Sequence, residues 1–125
     1  KGVVKIVDES DLNKAFEQPS IVEKWIDFEK EIAVIIARNE NGQTETFPLV
    51  EMDFNKEANL VEFLISPSTY NFEIQQKADK IARDIADFLN IVGLLAVEMF
   101  VTKNGEILVN ELAPRPHNSG HHTIE

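Results

Sequence analysis

At 125 residues the chain has the size of one domain and is long enough to bury a core. A net charge of −10 argues against a general nucleic-acid surface, and 43% apolar residues is ordinary for a globular fold. No apolar run approaches membrane-spanning length, no stretch reads as a signal peptide, and the lack of cysteine fits a reducing compartment.

Lys1-Gly2 leads straight into Val3–Val7, which reads as a strand. Ser10 or Asp11 can cap a short helix over Asp11–Glu17, stopped by Gln18-Pro19. Ser20–Lys24 reads as a short strand, and Glu31–Arg38 as a nearly continuous apolar one. Asn41-Gly42 signals a hairpin, Thr44–Val50 returns from it, and Leu60–Ile65 is a weaker strand. A helix is expected from Asn71 to Leu89, because Ile74, Ala78, Ile81, Ala82, Ile85, Ala86 and Leu89 share one face at helical spacing. It delivers the chain into a strand over Val92–Thr102. Strands paired by hairpins with helices to one side imply an α+β domain on a mostly antiparallel sheet. A start without Met and a stop at Thr123-Ile124-Glu125 read as cut ends, so the chain is expected to be an internal piece of a larger protein.

Asn104-Gly105 is a strong two-residue hairpin signal, since a type I′ turn needs positive φ at both central positions. With those residues as the turn, Lys103 pairs with Glu106, Phe100 with Val109, Met99 with Asn110, and Glu98 with Glu111. Like charges directly opposed are destabilising. Glu98 is the one polar residue in Leu94–Val101, and Glu111 follows Ile107-Leu108-Val109 closely. Strands apolar on both faces are buried, and ionised acids there need a partner. A hard divalent cation between the two carboxylates is the simplest one. Arg115 follows four residues after Glu111, with Pro114 and Pro116 fixing the backbone around it. His117, His121 and His122 invite a zinc reading, against which stand the absence of cysteine and of any further ligand motif.

The run Asn110-Glu-Leu-Ala-Pro-Arg-Pro-His-Asn-Ser-Gly-His121, preceded by Glu98, resembles the ATP-grasp ligases. Within them it is most similar to the 5-(carboxyamino)imidazole ribonucleotide synthetase family of purine biosynthesis, the ATPase subunits of phosphoribosylaminoimidazole carboxylase. The resemblance runs through essentially all 125 residues, which would form part of an ATP-grasp domain and about a third of such an enzyme, lacking its N-terminal and C-terminal domains. It implies that Glu98 and Asn110-Glu111 bind Mg²⁺ between the phosphates of ATP. Ile21–Ile26 matches the hinge that holds adenine, which assigns Glu23, Lys24, Trp25 and Ile26 to ATP. Glu31, eight residues after Glu23, matches the acid that holds the ribose hydroxyls. Lys1-Gly2 resembles the end of the glycine-rich loop that closes over the phosphates, where a lysine supplies positive charge. Arg115 is implied to bind a substrate phosphate or a developing acyl phosphate, beside His117, Asn118 and Ser119 at the substrate end. Two departures stand. The family loop continues Lys-Gly-Gln where Val3 follows Gly2 here, and many members carry a histidine near Phe54, after the run that here reads Pro48-Leu-Val-Glu51-Met-Asp.

The implied reaction joins ATP, bicarbonate and 5-aminoimidazole ribonucleotide through carboxyphosphate, with Lys1 and Arg115 as the catalytic cations. Phosphoryl transfer is mainly positioning and charge neutralisation, and no covalent nucleophile is needed. The family also implies a cytoplasmic enzyme, commonly a homodimer, without nucleic-acid or membrane partners, and inactivity of these 125 residues by themselves. The nearest rival is formate-dependent phosphoribosylglycinamide formyltransferase, which typically continues Asp-Thr-Gly where this chain has Asn118-Ser-Gly. A nucleotide-binding module that has lost catalysis is the alternative from another class.

Overall fold

The computed structural model describes residues 2–55 and 60–124. Its centre is β1 (Phe28–Arg38), whose run Ile32–Ile36 is buried on both faces. The chain then forms β2 (Thr44–Thr46), β3 (Val50–Asn55), β4 (Leu60–Ile65), α1 (Phe72–Phe88), β5 (Gly93–Thr102) and β6 (Ile107–Ala113). The sheet order is β4-β3-β1-β5-β6, with β2 pairing β1 beside β3, and every pairing is antiparallel. The expected α+β class holds, with the α-helix on one face of the sheet.

Helix α1 begins where Asn71 accepts the Ile74 N–H at 3.0 Å. It ends on Asn90 at φ 51°, with Ile91 N–H donating to the Ala86 carbonyl and Asn90 N–H to that of Asp87. This 6→1 and 5→2 pair is a Schellman cap with asparagine in the left-handed position. The predicted stripe is the buried face: Ala78, Ala82 and Ala86 are fully covered, which lets the helix approach Ile32, Val34, Ile36, Leu95, Val97 and Met99 closely. Leu89, at the frayed end, stays 45% exposed.

Several expected elements differ. Val3–Val7 and Ser20–Lys24 are extended but pair with nothing among the described residues, and Val3 and Val22 are 92% and 99% exposed. A strand needs a neighbouring backbone, which strand propensity alone does not supply. The short helix is a 3-10 turn over Glu9–Lys14, capped by Asp8 rather than by Ser10 or Asp11. The expected return Thr44–Val50 is two strands, split around Pro48, which has no N–H for a ladder. Strand β3 is an element beyond those expected, although Val50, Met52 and Phe54 alternate with Glu51 and Asp53.

Both Asn-Gly turns are longer than two residues. Thr102 N–H donates to the Glu106 carbonyl and Gly105 N–H to that of Thr102, so the loop is Lys103-Asn104-Gly105. Gly105 alone takes positive φ there, at 74°, and Gly42 does the same at 82° in the loop after Asn39. Each is a type I turn completed by a left-handed glycine. The register is accordingly Val101↔Ile107, Phe100↔Leu108 and Met99↔Val109, one residue off the expected pairs of Phe100 with Val109 and Met99 with Asn110. A bulge between Glu98 and Met99 leaves Asn110 without a partner and restores Glu98↔Glu111.

Candidate functional site

The sheet face turned away from α1 carries the acids. Paired residues of an antiparallel ladder share a face, and Ala33, Glu98 and Glu111 form one row across β1, β5 and β6. Glu31 and Phe100 form the adjacent row, with Met52 of β3 beside Glu31. Phe100 stacks on Phe28 at 4.4 Å between ring centroids, which makes an apolar floor next to Glu31. Sequence reasoning missed that floor, although Phe100 has the same strand parity as Glu98.

After β6 the chain doubles back, with Arg115 N–H donating to the Ala113 carbonyl at 2.9 Å. His117 caps a 3-10 turn over Asn118–Thr123 that folds onto the same face. Gly120 packs against Ile35, whose Cγ1 would stand 3.4 Å from a Cβ placed there. The turn brings His117 Nε2 to 3.3 Å from Glu98 Oε1, both side chains largely covered. Ser119 is fully buried beneath it, while Arg115 and Asn118 are exposed. The histidines diverge: His122 Nδ1 stands 3.1 Å from the Ser119 carbonyl and its ring lies edge-on to Phe47, and His121 faces solvent. Among the described residues no three His, Cys, Asp or Glu side chains gather within reach of one metal ion.

Burial and the neighbouring Glu98 charge push the Glu31 carboxyl up to about 7. Burial also raises Glu98, aided by Glu111 and opposed by His117 and Arg115. Both acids are therefore held in an environment that disfavours their own charge and favours an added cation. Oxygen donors from two carboxylates suit Mg²⁺, which typically takes one or two carboxylates and completes its shell with water and phosphate oxygens. The donor set fits that ion, and the unpaired bulge residue Asn110 is exposed between Val109 and Glu111.

A stability consequence follows for the protein without added ligand. A carboxyl whose folded value lies above its unfolded one stabilises below the unfolded value and loses that contribution as pH rises through the folded one. For Glu31 the window runs from the ordinary 4.5 to about 7. Glu31→Gln is expected to flatten the decline across that window by on the order of 1–2 kcal/mol after screening. Urea midpoints of both proteins at the two ends of the window check it; equal slopes would refute it.

The remaining expected residues lie apart from this cluster. Glu23, Lys24 and Trp25 are exposed and Ile26 is partly covered, all on the extended segment before β1. Lys5 Nζ sits 3.6 Å above the Trp25 ring, and Lys103 bridges to Asp27 at 2.9 Å, tying the segment to the β5–β6 loop. Lys1 lies outside the described residues, and the Phe54 side chain is likewise not described.

The model of the ATP-grasp domain family matches residues 1–125. The N5-carboxyaminoimidazole ribonucleotide synthase of Bacillus subtilis (strain 168) is 45% identical over 129 aligned residues, covering 100% of this chain and 33% of the relative. A solved N5-carboxyaminoimidazole ribonucleotide synthetase in complex with ADP is 50% identical with a TM-score of 0.76, over 81% of this chain and 26% of that one. The synthetase from Thermotoga maritima is 43% identical with a TM-score of 0.82, over 94% and 30%. The chain thus spans about a third of the length of the Bacillus relative. No helix among the described residues is long and apolar enough to cross a membrane.

Proposed function

The chain belongs to the ATP-grasp family, and we propose that it is the cation- and phosphate-facing part of a ligase that carboxylates 5-aminoimidazole ribonucleotide with bicarbonate and ATP. The observation that carries this reading is the Glu98↔Glu111 pair, with Glu31 one row away. Glu98 is largely covered, while Glu111, expected to be buried, is exposed because β6 is the edge strand of the sheet. The 45% identity to a synthase of that name supports the substrate.

Mg²⁺, when bound, neutralises phosphate charge and holds the γ-phosphoryl group for in-line transfer. Glu98 and Glu111 would hold it, with Asn110 as the neutral donor. Glu31 accepts hydrogen bonds from the ribose hydroxyls, and the Phe28–Phe100 stack keeps water from that carboxylate. Glu23–Ile26 supplies the edge against which adenine lies. Arg115 offsets charge where bicarbonate oxygen attacks the γ-phosphorus and ADP leaves. The resulting carboxyphosphate gives its carboxyl to the substrate amine and releases phosphate. Lys1 adds a second positive charge at the phosphates. The acidic background selects Mg·ATP over free ATP.

The test is ADP release by the parent protein with Mg·ATP under two substrate pairs. Stimulation by aminoimidazole ribonucleotide plus bicarbonate is expected. Stimulation by glycinamide ribonucleotide plus formate alone would move the protein to the formyltransferase, and no stimulation by either pair would remove the substrate assignment.

A further inference from the structure

Ser119 lies directly under His117, wholly inside the fold. Its backbone N–H donates to His117 Nδ1 at 3.4 Å, and its hydroxyl stands 2.9 Å from the same nitrogen. A backbone N–H has no lone pair, so Nδ1 acts as the acceptor and carries no proton in the neutral ring. The hydroxyl hydrogen can rotate and turns toward Nδ1 as well. The remaining ring proton therefore sits on Nε2, the nitrogen 3.3 Å from Glu98 Oε1. The turn that carries Ser119 is itself held: Gly120 N–H donates to the His117 carbonyl at 2.9 Å, Thr123 Oγ1 donates to the Gly120 carbonyl at 2.7 Å, and Gly120 sits against Ile35.

We infer that Ser119 is a positioning residue: it fixes His117 in the Nε2–H tautomer, aimed at one oxygen of Glu98. Seen from the cation, Glu98 is the ligand, His117 its outer partner, and Ser119 the group that sets the partner's orientation. Such outer groups fix a ligand's direction as much as the ligand's own strand does. One oxygen of Glu98 then faces the Nε2 proton at 3.3 Å and the other is left for the cation, which rests on the ligase reading above. A buried serine without access to substrate contributes here through geometry alone. This separates it from Asn118 and Arg115, which are exposed beside it.

The experiment uses the parent protein with ¹⁵N-labelled histidine, in buffer alkaline enough for a neutral ring, together with Mn²⁺ binding in the presence of ATP followed by electron paramagnetic resonance. Wild-type His117 is expected to show a protonated Nε2 and a bare Nδ1. Ser119→Ala keeps the backbone N–H and loses the hydroxyl, and is expected to hold the ring less firmly, shifting the Nδ1 resonance and weakening Mn²⁺ binding several-fold. His117→Gln, whose amide N–H falls near the Nε2 position, is expected to retain most of the Mn²⁺ affinity. His117→Asn, whose amide falls near Nδ1, is expected to lose about tenfold. A protonated Nδ1 in the wild type, or the reverse order of the two His117 variants, would overturn the assignment. Should Ser119→Ala fail to fold, the wild-type shifts and the His117 pair still decide. Wild-type protein that binds no Mn²⁺ with ATP would overturn the ligase reading, while the nitrogen shifts judge the Ser119 assignment separately.

Discussion

Replacing Glu111 by Gln in the parent protein is expected to lower kcat/KM for Mg·ATP by about 10²–10³-fold, equivalent to roughly 3–4 kcal/mol of transition-state stabilisation. The fold should be unharmed. Glu111 stands opposite Glu98 in the ladder, and directly opposed like charges cost up to about 1 kcal/mol. Glutamine keeps the shape and removes that repulsion, which already contributes to holding the Glu98 carboxyl up. Stability without ligand should therefore stay level or rise slightly, while ATP use collapses. This opposition of signs is what marks a ligand rather than a structural acid, since removing a structural carboxylate lowers both. Glu51 is the internal contrast: it accepts from the Ser68 and Thr69 hydroxyls at 2.8 Å each and from the Thr69 N–H. Turnover across a Mg²⁺ series, with urea midpoints on the same proteins, reads both quantities. Unchanged turnover at limiting Mg²⁺ would remove Glu111 from the cation site.

The pairing of Glu98 with Glu111 was legible in the sequence for a reason only half right. Asn104-Gly105 suits both a two-residue turn and a three-residue loop ending in left-handed glycine, and the chain uses the second. That choice slips the register by one residue and would put Glu111 on the opposite face from Glu98. The bulge at Asn110 slips it back. Nothing in local composition announces a bulge next to Glu111, so the agreement came from two offsets that cancel. Helix α1 was legible for the opposite reason: its stripe, its cap and its stop are all local signals. Ser20–Lys24 and Val3–Val7 carry the β-branched residues of strands, yet pairing is a property of neighbours and cannot be read from one segment. The reach of His117 toward Glu98 was also out of view, because it depends on the 3-10 turn folding onto Ile35. The candidate residues were therefore nominated by motif, and their mutual geometry came from the sheet.

Arg115→Lys in the parent protein is expected to lower kcat about 10²-fold with little change in KM for the ribonucleotide, because it removes a contact made to charge that develops during transfer. Two roles were open for this side chain: a clamp on the substrate's phosphate, or a stabiliser of the acyl phosphate. The geometry favours the second. Arg115 Nη1 donates to the Pro116 carbonyl at 3.0 Å, and the backbone is fixed between two prolines and by the Arg115 N–H bond to the Ala113 carbonyl. Its charge opposes the rise of the Glu98 carboxyl, less than that of His117 does. If Glu98 holds the cation, a guanidinium on this neighbouring turn is placed to serve the transferring phosphoryl group. Lysine preserves the charge and loses the planar fork, so what it costs is bidentate geometry. The decisive measurement is ATP turnover with bicarbonate alone, omitting the ribonucleotide. If Arg115 serves the acyl phosphate, that partial reaction falls in step with the full one. A partial reaction left intact, together with a raised KM for the ribonucleotide, would instead assign Arg115 to the substrate's own phosphate and leave the acyl phosphate to Lys1.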